Sequence, residues 1–280
     1  MRRGLVRLAW LALAALVAGG AGGLRLAAGA EPEAAPAPQA EETQDEDAAA
    51  VLQRMAELLA AAPGLAVTIG SEYDAVQADG QKIEFGETRR VALRRPDRLR
   101  VDGERRDGQR RGLLFDGKEL AVFDLDGGVF ASVPKTGSVD DAIDYFVDDL
   151  EMRLPLHDLL STRLPEALAE AGGSGAEFIE EESIGGALCD HVAVRGTGVD
   201  FQVWVEQGER PLPRRIVITY KDAPGQPQFR ATLSGWDLAA ELPDSLFVFE
   251  PAEGAEKIPF APRGGTGAGA ARPVAEEPNP

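Results

Sequence analysis

Cys189-Asp190-His191 is the one stretch of this chain whose residue types and spacing suggest chemistry. Positions i and i+2 of a strand share a face, so a thiol and an imidazole would stand side by side there. Such a pair could be part of a metal site, or a nucleophile beside its base. Tetrahedral zinc takes three or four ligands, and the only other histidine is the distant His157. The pair also has the opposite parity from Leu188, Val192 and Val194, which places it on the outer side of a sheet. The expectation is no metal, no cofactor, and a surface thiol able to pair with another chain. Gly-x-Ser-x-Gly, His-Glu-x-x-His and phosphate-loop patterns are absent from the sequence, so an enzyme is not expected.

Two other groups invite a functional reading. Trp204 and Trp236 fall out of step with the aliphatic residues of their strands, as a partner surface or as aromatics packed beneath a loop. Residues 89–111 hold ten arginines in an otherwise acidic chain. They could form a docking patch, or pair across strands with Glu84, Glu87, Asp97 and Glu104.

The elements that must position these residues follow from hydrophobic period. Val51, Leu52, Met55, Leu58, Leu59 and Ala62 recur at helical spacing until Pro63-Gly64. The period then drops to two. Strands are expected near residues 65–73, 81–93 (broken by a bulge near Gly86), 99–101, 112–115, 118–125 and 129–133. Turns are expected at Asp102-Gly103, Asp116-Gly117 and Asp126-Gly127-Gly128. Ser138 and Asp141 form a capping-box pattern for a helix whose inner face carries Val139, Ile143, Phe146, Val147 and Leu150. A further helix is expected over residues 165–171. Strands resume at 177–181, 188–195, 199–206, 216–220 and 229–233, and a short apolar run, 246–249, stops at Pro251. This order describes an α+β domain: a single curved antiparallel sheet of about 11 strands, unclosed, with helices over its concave face.

Residues 1–30 read as a cleavable signal peptide, with Arg2, Arg3 and Arg7 before an apolar run and cleavage near Ala30/Glu31. Residues 31–49 read as a disordered acidic Ala/Pro linker, 50–260 as the folded domain, and 261–280 as a disordered tail. Removing residues 1–30, with four arginines and no acid, takes the net charge from −18 to −22. That charge argues against nucleic-acid binding. A single cysteine gives no internal disulfide framework, so a core must hold the domain together. A soluble, periplasmic monomer is expected, with transient contact to a membrane surface or envelope protein.

Several motifs in fixed order carry a resemblance. They are residues 95–101 (RPDRLRV), 116–120 (DGKEL), 201–205 (FQVWV), 212–220, and PDSLF at 243–247 with Phe249-Glu250-Pro251. Together they resemble the DUF2092 family of predicted periplasmic proteins and, more loosely, the lipoprotein carriers LolA and LolB. That resemblance implies an unclosed barrel whose hydrophobic cavity holds acyl chains under a lid of helices. Alternation assigns Leu65, Val67 and Ile69, with Leu99 and Val101, to the concave side. Leu188, Val192, Val194, Phe201, Val203 and Val205 follow, then Ile216, Ile218, Phe229, Ala231 and Leu233. Ile143 and Phe146 oppose them from the helix. These residues either line a cavity for a lipid or an acylated protein, or pack on one another as a filled core. The same scaffold without lipid cargo would serve as an envelope protein-interaction or stress-sensing module.

Overall fold

The computed structural model describes residues 39–170 and 175–260. The signal peptide, the first part of the linker and the C-terminal tail expected from the sequence lie outside the described residues. α1 spans Gln39–Ala61, so the boundary drawn at residue 49 falls inside a helix. Ala, Glu and Gln, which read as a solvated linker by composition, are also strong helix formers.

Among the described residues, twelve strands form one sheet. Chain order gives β1 (Gly64–Val76), β2 (Lys82–Arg94), β3 (Arg98–Arg105), β4 (Arg110–Phe115), β5 (Glu119–Asp124) and β6 (Val129–Pro134), then β7 (Ala176–Ile184), β8 (Ala187–Arg195), β9 (Val199–Glu206), β10 (Pro213–Tyr220), β11 (Gln228–Asp237) and β12 (Glu256–Lys257). Their spatial order is β12-β6-β5-β4-β3-β2-β1-β11-β10-β9-β8-β7. The two hairpin meanders meet where β1 pairs antiparallel with β11, and the edges β12 and β7 do not pair, so the sheet is open. Of these twelve strands among the described residues, only β12 runs parallel to its neighbour. Between the meanders come α2 (Val139–Asp144), a π turn at Tyr145–Asp149, a 3-10 turn at His157–Leu160 and α3 (Leu164–Glu170).

The Ser138 capping box forms with both of its bonds: Asp141 N–H donates to Ser138 Oγ, and Ser138 N–H to the Asp141 carboxylate at 2.8 Å. Each satisfies an amide that helix geometry leaves without a partner. Two hairpin turns, at Gly117 and Gly127-Gly128, stand where expected. The third does not. Gly103 lies inside β3, opposite Arg89 and Arg111, and the chain turns instead at residues 106–109. Apolar alternation stops at Val101, but the backbone ladder continues through polar residues. A side chain at Gly103 would stand beside the stems of the two arginines. β2 is likewise unbroken at Gly86, with every residue from Lys82 to Arg94 in register with β1.

The apolar run 246–249 is not a strand. A 3-10 turn at Asp244–Phe247 leads it across the outer face of β2–β6. There Arg94 lies 5.3 Å from the Phe247 ring centre, and Phe249 packs on Phe123 and Phe130 with centroids 5.4 and 5.2 Å away. β4 is therefore buried on both sides: Leu114 under this strap and Phe115 in the core.

Candidate functional site

The concave face is built by register. One row of paired positions runs Leu120–Phe115–Leu99–Leu93–Leu65 across five strands, each at most 1% exposed. A parallel row passes through Leu113, Val101, Val91 and Val67. Above them α1 supplies Val51, Leu52, Met55 and Leu59, and the α2 region supplies Val139, Ile143, Phe146, Leu159 and Leu160. Arg95 ties the two covers together. Its guanidinium donates to the carbonyls of Ala62 at 3.1 Å and Leu160 at 3.0 Å, serving the C-terminal end of α1 and the 3-10 turn at once.

Most of the residues assigned to the concave side from alternation stand there. Leu65, Val67, Ile69, Leu99, Val101, Ile143, Phe146, Val192, Val203, Val205, Ile216, Phe229, Ala231 and Leu233 belong to one buried cluster, and Val194, Phe201 and Ile218 pack against it part-exposed. Leu188 does not. Its parity is inward, but it sits at the start of β8 beyond the covered core and is 50% exposed.

Along β2 the concave face changes character. Glu87 and Arg89 continue the inward row of Val91 and Leu93, and the Glu87 carboxylate pairs with both Arg89 and Arg111. Burial pushes Glu87 up, but the two guanidinium charges and their hydrogen bonds outweigh it, leaving its carboxyl below the ordinary range. Burial pushes Arg89 down, and the Glu87 charge only partly offsets this. Arg89 also borders a small cavity of about 10 Å³, enclosed by Val67, Val101, Leu154, Leu156, Leu233 and Trp236. One end of the concave face is thus aliphatic, and the other carries a buried Glu87–Arg89 pair joined by the half-exposed Arg111.

Sequence parity placed Trp236 outside; the structure places it against the core. Between Ala66/Asp237 and Thr68/Ser234 the β1–β11 register slips, so two residues of β11 oppose one of β1. Gly235, at φ +62°, provides the bulge, and every later side chain changes face. Trp236 then donates Nε1–H to the Pro213 carbonyl at 2.9 Å.

A cleft of about 300 Å³ opens from the aliphatic face between α1, α3 and strands β8–β9. Its walls are Ala49, Leu52, Leu168, Ala176, Val194 and Phe201, with Gln53 and Arg195 among its polar lining. Alternation turns Val194 and Phe201 toward it, but the cleft itself depends on the packing of α1 and α3 against each other and the sheet. Its volume stands at the lower end of ligand pockets, about 300–1,000 Å³, and its lining is mostly apolar, as theirs is.

Cys189 and His191 share the outer face, as expected, but the thiol is not at the surface. Cys189 is fully buried beside Trp204 and Val217, with Ile184 and Ala187 against them, and burial pushes its thiol up. A buried, protonated thiol is a poor nucleophile and a poor candidate for pairing with another chain. Trp204 is also covered: it stacks on His191 with centroids 4.0 Å apart and lies under the Arg215 guanidinium at 5.4 Å. The arginines of β2–β4 are largely paired. Arg106 reaches Glu72 and Glu84 at 3.0 Å, Arg110 reaches Asp126 at 2.8 Å, and Arg98 reaches Asp97 at 2.9 Å. No helix among the described residues is long and apolar enough to cross a membrane.

The DUF2092 family model, described as a predicted periplasmic protein, matches residues 48–261. Comparison with curated proteins returns no match. Among solved structures, lipoprotein LppX of Mycobacterium tuberculosis is 15% identical, with 70% of this chain and 98% of that chain covered and a TM-score of 0.42. LprF from Mycobacterium bovis is 14% identical over 71% and 96% of the two chains, at a TM-score of 0.44. A LolA superfamily protein from Nitrosomonas europaea is 17% identical over 72% and 97%, at 0.35.

Proposed function

The chain belongs to the DUF2092 family of predicted periplasmic proteins, and from that premise we propose that it is a non-enzymatic protein binding the acyl chain of a lipid or lipoprotein. The carrying observation is the apolar cleft of about 300 Å³ that opens between α1, α3 and β8–β9 onto the concave face. Val194 and Phe201, which the alternation assigned to a cavity, are among its walls and are part-exposed.

Binding there needs no catalytic group. Each methylene removed from water contributes about 0.8 kcal/mol, so a chain of about fourteen carbons gains roughly 11 kcal/mol before ordering costs. Much of the concave face is packed under α1 and α2, so a long chain enters from the cleft and displaces covering side chains as it advances. The protein's negative charge disfavours broad electrostatic adhesion to anionic lipid, which leaves the apolar cleft as the source of affinity.

The test is extraction of the natively purified protein with organic solvent, combined with displacement of a fluorescent fatty-acid probe. Co-purifying acyl lipid and saturable, displaceable probe binding are expected. Neither lipid nor probe binding, with a protein partner captured by crosslinking, would replace this reading with that of an interaction module.

A further inference from the structure

On the outer face of the β7 edge, we propose a binding site for a divalent transition-metal ion of the zinc class, formed by Glu180, Glu182 and His191. This departs from the sequence expectation of no metal, and the fold supplies the missing ligands. One imidazole nitrogen of His191 and one oxygen from each carboxylate lie within 4.8 Å of one another. The carboxylates come from β7, opposite β8 in the ladder, where Glu180 pairs with His191 and Glu182 with Cys189. A register shift between Phe178 and Glu180 makes this possible. Phe178 faces the core opposite Val192, so regular alternation would turn Glu180 inward as well; the bulge sends it outward.

The imidazole itself points to a ligand. His191 is 8% exposed, and its Nδ1 is buried with no hydrogen-bond partner. Nε2 lies 3.0 Å from the Gln202 amide oxygen and donates its proton there. In the neutral ring that bond leaves Nδ1 as the acceptor nitrogen, with no donor to satisfy it. Buried acceptors are nearly always satisfied, and with one nitrogen of this ring within 4.8 Å of an oxygen from each carboxylate, a cation bound among them would satisfy it.

The surroundings hold the ligands as a metal site requires. Trp204 roofs the imidazole at 4.0 Å and 11° and donates Nε1–H to Glu182 Oε2 at 2.6 Å. One carboxylate is thereby oriented and the ring fixed in plane, the task of the outer partners around a metal ligand. Around a tetrahedral ion with bonds of about 2.1 Å, ligand atoms sit about 3.4 Å apart. Rotation of the exposed Glu180 side chain toward the carboxylate held by Trp204 would close the remaining distance. One nitrogen and two oxygens with an open fourth position favour Zn2+ over Mg2+, which prefers an all-oxygen octahedron. The Cys189 thiol falls outside the cluster. The ion links the edge strand β7 to β8.

Calorimetric titration of the full chain with Zn2+, after chelator treatment and without an affinity tag, tests this. One equivalent of Zn2+ should bind, with Mg2+ at the same concentration giving no heat. Glu180→Gln should weaken Zn2+ binding tenfold or more, and His191→Gln should abolish it. Glu180 is exposed, so that variant retains the fold and decides the matter alone if His191→Gln does not fold. No Zn2+ heat, or weak multi-site binding identical in wild type and Glu180→Gln, overturns the site.

Discussion

Glu87 is the residue at which the concave face turns from oil to charge. Its carboxylate is buried between two guanidinium groups, so its negative form is worth more in the folded chain than in the unfolded one. A carboxyl held below its ordinary value contributes stability that is fully present above the ordinary glutamate range. That contribution is lost as pH falls through the range to the folded value. Thermal unfolding between pH 7 and pH 3 should therefore show a steeper acid loss for the wild type than for Glu87→Gln. At neutral pH the variant should be less stable by about 3–5 kcal/mol, the usual result of leaving a buried charge without its partner. Equal pH profiles for the two proteins would mean that the triad does not hold in solution. Arg89 and Glu87 were legible in the sequence only as members of a charged strand. Their inward direction follows from parity, but the second partner of Glu87, Arg111, arrives across Gly103 from two strands away.

Among the elements, the α2 capping box behaved as its local signal implies, whereas the equally local Asp102-Gly103 turn signal did not. The α2 capping box needs only Ser138 and the residue three positions on. Ser138→Ala should cost about 1 kcal/mol in a urea unfolding curve, with no change in slope. The bulges were not legible, since a bulge is a relation between two strands and leaves one sequence with an ordinary alternation. Two of them decide where side chains point: Trp236, expected outside, turns inward, and Glu180 turns outward. Gly235 can be tested directly. At φ +62° an alanine is strained by about 1–2 kcal/mol. Gly235→Ala should lower stability by that amount and red-shift Trp236 emission as the indole loses its packing. An unchanged emission spectrum would argue that the bulge survives the substitution. The run 246–249 shows the same limit from another side. Phe247 and Phe249 pack on the outer face of β2–β6 without a ladder, while Val248 between them stays exposed.

For the molecule as a whole, the arrangement that matters is an open sheet whose concave side is covered by helices, with a cleft left where α1 and α3 meet β8–β9. Ala49 lies on α1 at the wall of that cleft and is only partly buried. Ala49→Phe should fill the space without disturbing the core behind it. A tenfold or greater loss of fluorescent fatty-acid affinity is expected, at an unfolding temperature within a few degrees of wild type. Undiminished binding by a stable Ala49→Phe protein would move the acyl site elsewhere on the molecule.

Period, capping and charge were set by the chain alone: an exported-looking acidic sequence, two β-meanders around a helical insertion, and one face of nearly every strand apolar. These are short-range properties, because alternation and capping bonds involve residues within a few positions of one another. The tertiary structure decided whether the apolar face is filled or open, where the parity inverts, and which carboxylates stand beside His191. Those outcomes depend on register between strands and on helices packing across the sheet, and they are fixed only when residues far apart in the chain compete for the same space.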